Sequence, residues 1–183
     1  ETHDGNNGTS AADRLVHAFA GMSVTCSRCH DHPLTTPNDD PRLNQDDVYS
    51  LYAFFATSTN GARKRNKLGQ RFGTPLEPGF VLDGNANAVP GLPQLSDPLN
   101  VRRTAFGDVF TQSDAFARGT AHRIWSEIAS ELLNTNEFLA ANLAAVRSPA
   151  LLAALTQLFK DQNSSLKGFL RQAMNSRLYQ LSS

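Results

Sequence analysis

Cysteine is almost absent: the chain has two in 183 residues. No disulfide framework can hold it together, so the two sulfurs have to be explained one by one. A charge of one sign is also missing. Seventeen Lys and Arg balance seventeen Asp and Glu, and no global field draws the protein to nucleic acid or an anionic membrane. There is no run of about 18 apolar residues, the minimum for a membrane-spanning helix. A secretory signal peptide, an internal repeat and a low-complexity tract are likewise not found. What is present is ordinary for a globular protein: 40% hydrophobic residues and a length that suits one domain or two small, tightly packed ones. A chain of this size buries about 70% of its unfolded surface, enough for a core without disulfide staples.

Both cysteines fall in one stretch, Cys26-Ser27-Arg28-Cys29-His30. This CxxCH spacing is the pattern of covalent c-type haem attachment. Each thiol would add across one haem vinyl group to form a thioether, and His30 would then lie under the iron as proximal ligand. Three other readings compete. A Cys26–Cys29 disulfide would close a very small loop and contribute little. A thioredoxin-like pair wants a βαβ context that the sequence does not offer. Zinc would need four ligands, and only two thiolates and scattered histidines are available. Haem c is the expected cofactor, one per chain. Covalent haem attachment normally takes place outside the bacterial cytoplasm, so this reading implies an export signal already removed and a periplasmic or extracellular location.

Periodicity predicts a mostly α, cytochrome-c-like helical bundle with a loop-rich, Gly/Pro-rich middle and at most short β elements. Residues 1–10 read as a flexible polar arm. The haem-attachment segment spans 11–60. A first helix is expected from Ala11, with Ser10 as N-cap, Asp13 at N3 and Leu15, Val16, Phe19 and Met22 as its apolar face. After a Pro/Asp-rich loop, a second helix is expected over Gln45–Thr57, its start favoured by Asp46 and Asp47. Its Val48, Tyr49, Leu51, Tyr52, Phe54 and Phe55 suit the packing of a flat macrocycle or of an ordinary core. Residues 61–101 form the loop-rich connection, with short strands expected near Gln70–Thr74 and Phe80–Leu82. The basic run Arg63-Lys64-Arg65 with Lys67 reads first as a solvated loop. Its functional alternatives are neutralisation of haem propionates and docking of an acidic redox partner.

The C-terminal segment, 102–183, is helical again. Helices are expected over Arg102–Phe110 and from Ser113 to about Leu133, the second with Phe116, Thr120, Ile124 and Ile128 as its apolar stripe. Ser148-Pro149 is a helix start, followed by Leu151, Leu152, Leu155, Leu158 and Phe159. A last helix begins near Ser164 or Ser165 and carries Leu166, Phe169, Leu170, Ala173 and Met174. All of this is expected to form one compact unit.

Two stretches carry a resemblance. The segment VTCSRCHDHPL followed by QDDVYSLYAFFA resembles the haem-motif end of a planctomycete-type cytochrome c domain family of unknown function. The stretch RRTAFGDVFTQSDAFARGTAHRIW, with the tail SLKGFLRQAMNSRLYQLSS, resembles the partner domain that follows in the same proteins, with its FAR…NRxW helix and terminal SRxYQLS. Together they cover roughly half of the chain. The resemblance implies a secreted c-type haem protein and little more. In two respects the chain departs from the family: the connection over Thr57–Val101 is short, and His122 stands where the family has the asparagine of NRxW.

That departure bears on the sixth coordination position, a main lever over haem potential. The candidates are His122, His17, His32, His3, Met22 and Met174. His32 is too close to His30 in sequence to reach the opposite haem face. Met22 and Met174 lie on apolar helical faces and are expected to fill core. His17 is expected to face solvent, and His3 sits on the terminal arm, from which it would reach a haem in a neighbouring subunit. His122, one turn before Trp125 and beside the small residues Ala115 and Ala129, is the preferred second metal ligand. The leading functional expectation is therefore electron transfer by a six-coordinate monohaem cytochrome. Its partner would be a redox protein or a neighbouring haem subunit, including a homo-polymer with stacked haems. The alternative is a haem enzyme or gas sensor with an open distal site, where His122 and Arg123 act as an acid–base pair. A third reading makes the C-terminal helices a protein-docking module.

Overall fold

Helices dominate the computed structural model, which describes residues 7–22, 24, 26–29, 44–65, 68, 70–79, 82, 89–129 and 148–181. In chain order they are α1 (Asn7–Ala20), a 3-10 turn at Cys26–Arg28, α2 (Gln45–Ala53) and a second 3-10 turn at Thr59–Ala62. The strands β1 (Lys64–Arg65) and β2 (Arg71–Phe72) follow, then α3 (Leu99–Gln112), α4 (Asp114–Ile128), α5 (Pro149–Asp161), α6 (Leu166–Met174) and α7 (Arg177–Leu181). The expectation of a mostly α chain with at most short β elements holds. Two compact units result, Glu1–Ala18 with Ser23–Ser113 and Phe19–Met22 with Asp114–Ser183. Helix α3, grouped by sequence with the C-terminal helices, belongs to the first unit.

In the first unit α2 is the central element. Asn44 caps it: its side-chain oxygen accepts from the Asp47 N–H at 2.9 Å, and the Asp47 carboxylate accepts from the Asn44 N–H at 3.0 Å. This reciprocal capping box satisfies two orphan donors at the helix start. The expected apolar positions Val48, Tyr49, Leu51, Tyr52, Phe54 and Phe55 are all buried. The helix stops at Ala53 rather than running to Thr57. There the chain tightens, with the Phe54 and Phe55 N–H groups donating to the Leu51 and Tyr52 carbonyls.

The carbonyls left over at that end find a partner in Arg102 of α3. Its guanidinium, on a residue only 5% exposed, donates to the Ala53 carbonyl, to the Ala56 carbonyl at 2.8 Å and to the Asp97 carbonyl at 3.0 Å. A cation at a helix C-terminus is also favoured by the helix dipole. Burial, and then the neighbouring Arg103, push the Arg102 pKa down, but an arginine stays charged under such pressure. Around this staple Phe106 packs on Phe54, Phe55 and Phe110 with ring centroids 5.5, 4.8 and 5.1 Å apart.

Three expectations need correction here. Helix α1 starts at Asn7, so Ser10 is inside it and Asp13 is not its N3 residue. Its buried face is Ala12, Val16 and Ala20, spaced by four, whereas Phe19 is 43% exposed. Of the two expected strands, Gln70–Thr74 yields β2, paired antiparallel with the basic run at β1. In Phe80–Leu82, Leu82 lies in a turn and the other two residues lie outside the described residues.

In the second unit α4 packs chiefly on α5, and the two run antiparallel, with Lys160 at the end of α5 meeting Asp114 at the start of α4 at 2.6 Å. Helix α4 ends at Ile128, short of Leu133. Its buried side is built from Ala115, Ala117, Gly119, Ala121, His122 and Trp125, while the expected stripe residues Phe116, Ile124 and Ile128 are only half-buried. Small residues let the neighbouring backbone approach. A Cβ on Gly119 would stand 2.4 Å from the Phe19 carbonyl oxygen and 2.5 Å from backbone carbons of Ala20. The core is completed by Leu152, Leu155, Phe159, Phe169 and Ala173. Pro149 opens α5 as expected. Ser165 caps α6 by accepting from the Gly168 N–H at 3.2 Å. The α5–α6 turn uses left-handed backbone at Asn163 and Ser164, φ 51° and 57°. Met174, expected in the core, is 45% exposed, because Phe169 and Ala173 take the buried face of α6. Among the described residues no helix is long and apolar enough to cross a membrane.

Two substitutions test these contacts by urea denaturation. Gly119→Ala forces backbone apart and is expected to cost about 1–3 kcal/mol. Arg102→Met leaves three carbonyls without their charged donor and is expected to cost about 2–4 kcal/mol.

Candidate functional site

The CxxCH stretch begins as one 3-10 turn, Cys26–Arg28, with Cys29 in the turn just beyond it. A 3-10 helix has about three residues per turn, so backbone positions 26 and 29 stand one turn apart. Ser27 is buried, 4% exposed. The Cys29 thiol is exposed and not part of a disulfide. His30 lies outside the described residues, as do His3 and His32.

The turn is held from outside by α2. The Gln45 side-chain amide donates to the Arg28 carbonyl at 2.9 Å and to the Arg65 carbonyl of β1 at 2.6 Å. The Tyr49 hydroxyl adds a second donor to the Arg28 carbonyl, at 3.3 Å. Gln45 is 8% exposed, and its two amide hydrogens are both used, one on each carbonyl.

The Arg28 side chain reaches the other way. Its guanidinium lies 3.8 Å from the Asp13 carboxylate of α1, and the Tyr52 hydroxyl donates to the same carboxylate at 2.5 Å. Burial pushes the Asp13 pKa up, and the hydrogen bond from Tyr52 and the charge of Arg28 offset only part of that. Tyr52 is pushed up as well, by burial first and then by the Asp13 charge and hydrogen bond. Tyr49 is raised by burial; the positive charges of Arg65, Arg28 and Arg71 act against this, and Cys29 acts with it. Two helices, α1 and α2, and the hairpin thus meet the motif at Arg28 through polar contacts.

The remaining sequence candidates are dispersed. His122 is buried, 4% exposed, on α4 of the second unit, where its backbone carbonyl accepts from the Ser126 hydroxyl at 2.8 Å. His17 is exposed on α1. Met22 is buried as core, 4% exposed. Among the described residues no group of three or more His, Cys, Asp and Glu side chains is arranged to hold a metal ion. The basic run is no bare loop. Lys64 pairs with Asp46 at 2.7 Å, and Arg63, Lys64 and Arg65 are half-buried.

Sequence reasoning missed Gln45, Tyr49, Tyr52 and Asp13 as supports of the motif. The two tyrosines counted as apolar helix positions, and their hydroxyls were the overlooked signal. A buried hydroxyl needs a partner, and a motif carbonyl and a carboxylate supply them. Asp13 read as a capping residue only because the start of α1 was set too late.

Residues 1–60 match the family model PSCyt2, described as a protein of unknown function (DUF1549). No curated protein and no solved structure matches the chain.

The raised Asp13 pKa gives a signed expectation. Between its ordinary value of 3.8 and its higher folded value, the folded state holds more protons than the unfolded one. Stability therefore falls as pH rises through that window. Asp13→Asn keeps an acceptor for Tyr52 and removes the titration, so its stability relative to wild type should increase from pH 4 to pH 7 in paired urea denaturation curves. A constant difference would show that Asp13 titrates at its unfolded value.

Proposed function

We propose that the chain carries one haem c, joined through thioethers at Cys26 and Cys29 and ligated by His30, and that it transfers electrons outside the cytoplasm. The observation that carries this reading is the CxxCH stretch on a clamped 3-10 turn with a free, exposed second cysteine. The PSCyt2 match over the same residues supports the cytochrome class without naming an activity.

The donor set fits the group. Two thiols three positions apart match two vinyl carbons, and an imidazole beside the second is a suitable axial donor. When bound, haem would supply a one-electron couple at iron. The chain's own residues do the rest. Cys26 and Cys29 each form one C–S bond, with the thiol hydrogen passing to the vinyl carbon. Gln45 and Tyr49 hold the backbone of the turn at Arg28. Asp13 and Tyr52 fix the direction of the Arg28 side chain. This preorganisation limits the movement of the attachment point when charge changes nearby, which suits electron transfer better than bond chemistry.

The test is expression with a c-type haem maturation system. The expected product is a coloured protein whose haem survives denaturation and acid-acetone extraction. Cys29→Ser should convert the double thioether to a single one, visible as a shifted pyridine haemochrome band. A six-coordinate low-spin spectrum unaffected by carbon monoxide is expected. A high-spin spectrum with rapid carbon monoxide binding would replace electron transfer by the open-site alternative, and loss of all haem on extraction would remove the cofactor assignment. His122→Ala tests the sixth ligand: low-temperature EPR should lose a bis-histidine signature if His122 supplies it, and an unchanged spectrum removes that assignment.

A further inference from the structure

One carboxylate pairs with a side chain of the CxxCH stretch. Asp13 of α1 lies 3.8 Å from the Arg28 guanidinium, and Arg28 stands between the two cysteines. The Arg28 carbonyl is fixed on one side by Gln45 and Tyr49, at 2.9 and 3.3 Å, while its guanidinium is turned towards Asp13. A single motif side chain thus links the attachment turn to this carboxylate. Asp46 and Asp47 are engaged elsewhere, with Lys64 and with the start of α2.

The Asp13 carboxylate is only partly compensated. Its side chain is 19% exposed, so most of its water is gone. In exchange it accepts one side-chain hydrogen bond, from the Tyr52 hydroxyl at 2.5 Å. Arg28, at 3.8 Å, is too far away for a second. An ionised carboxylate has about four acceptor positions to fill, so the neutral form competes. Burial accordingly raises the Asp13 pKa, and Tyr52 and Arg28 offset only part of this. Around Asp13 stand Arg28 from the turn, Tyr52 from α2 with Tyr49 edge-on beside it, and on α1 the exposed Arg14 and His17. Tyr52 is kept protonated by burial and by the Asp13 charge. It is therefore a fixed donor, and Asp13 is the member of the pair that titrates.

We propose that the Asp13 carboxyl is a proton site coupled to electron transfer at the haem attached through Cys26 and Cys29. This deepens the functional reading above and rests on it. When one electron passes from iron to the redox partner, Asp13 releases one proton to water and becomes a carboxylate. When one electron arrives from the partner, Asp13 takes one proton back. One electron and one proton move in each direction, so the net charge around the motif is the same before and after. A positive charge nearby favours an ionised carboxylate, and partial burial limits its screening by salt. By linkage, the electron and the proton influence each other equally. The reduction potential therefore falls as pH rises between the carboxyl's pKa values in the two redox states, and is flat outside that range.

The test is potentiometry of the full-length, haem-loaded protein from about pH 4 to pH 8. The wild-type potential should fall by about 59 mV in total, which is a tenfold change in Asp13 proton affinity for a one-electron couple. Asp13→Asn, which keeps an acceptor for Tyr52, should give a flat curve. Asp108→Asn, which removes an exposed carboxylate on α3, should keep the wild-type curve. Tyr52→Phe removes the hydrogen bond to the ionised form and should move the fall to higher pH. Redox-induced infrared difference spectra of wild type read the proton directly. A protonated-carboxyl band should be lost on oxidation and should shift when the protein is grown on carboxyl-labelled aspartate.

Wild-type protein that carries no covalent haem would overturn the functional reading and this inference with it. Haem-loaded wild type whose potential does not change with pH would overturn the inference alone. So would a fall that persists in Asp13→Asn, or an infrared band untouched by the aspartate label, since the proton would then be carried by His17 or by a haem propionate.

Discussion

One side-chain amide organises the first unit. Gln45 stands at the first position of α2 and gives its two hydrogens to the carbonyls of Arg28 and Arg65. Those carbonyls belong to a 3-10 turn and to the end of a two-residue strand, neither of which has a ladder long enough to fix itself. Without the amide, the Arg28 carbonyl would keep only the longer bond from Tyr49 and the Arg65 carbonyl would lose its side-chain donor. With it, the CxxCH stretch, the helix start and the basic hairpin are held at one point. Tyr49, one turn further along α2, repeats the contact to Arg28 from the same face.

The two ends of α2 are handled by opposite chemistry. At its start, Asn44 and Asp47 supply acceptors to free N–H groups. At its finish, Arg102 supplies donors to the carbonyls of Ala53 and Ala56. A helix of nine residues is too short to be stable by propensity alone, so its persistence depends on these caps and on the phenylalanine contacts of Phe54 and Phe55 with Phe106. The second unit is held differently. Its helices pack through small residues on α4 against large ones on α5 and α6, with Gly119 at a point where the approach leaves no room for a side chain.

Much of the fold was legible, and the failures have physical causes. The Ser148-Pro149 start, the serine cap of α6 and the buried face of α2 follow from local rules that tertiary contacts did not override. The start of α1 was misplaced because Ser10 resembles a cap, although the helix continues through it from Asn7. The buried side of α4 lies off the stripe expected from Phe116, Thr120, Ile124 and Ile128. There Ala115, Ala117, Gly119, Ala121, His122 and Trp125 face inward, and the neighbouring backbone comes so close at Gly119 that no side chain fits. Met174 was placed in the core by the same spacing argument: an apolar residue at helical spacing counts as core only if something covers it.

The sequence by itself determined the chemistry on offer: two thiols at CxxCH spacing with an adjacent imidazole, a near-zero net charge and a helical chain. These depend on residue identity and local periodicity. Only the tertiary structure decided what surrounds the motif. That Asp13 meets Tyr52, that Gln45 joins residues 28 and 65, and that Arg65 faces Arg71 are contacts between positions up to 39 residues apart. A polar side chain carries no mark in sequence of which distant carbonyl it will satisfy. The pairing is set by which backbone groups the packed helices leave without a partner.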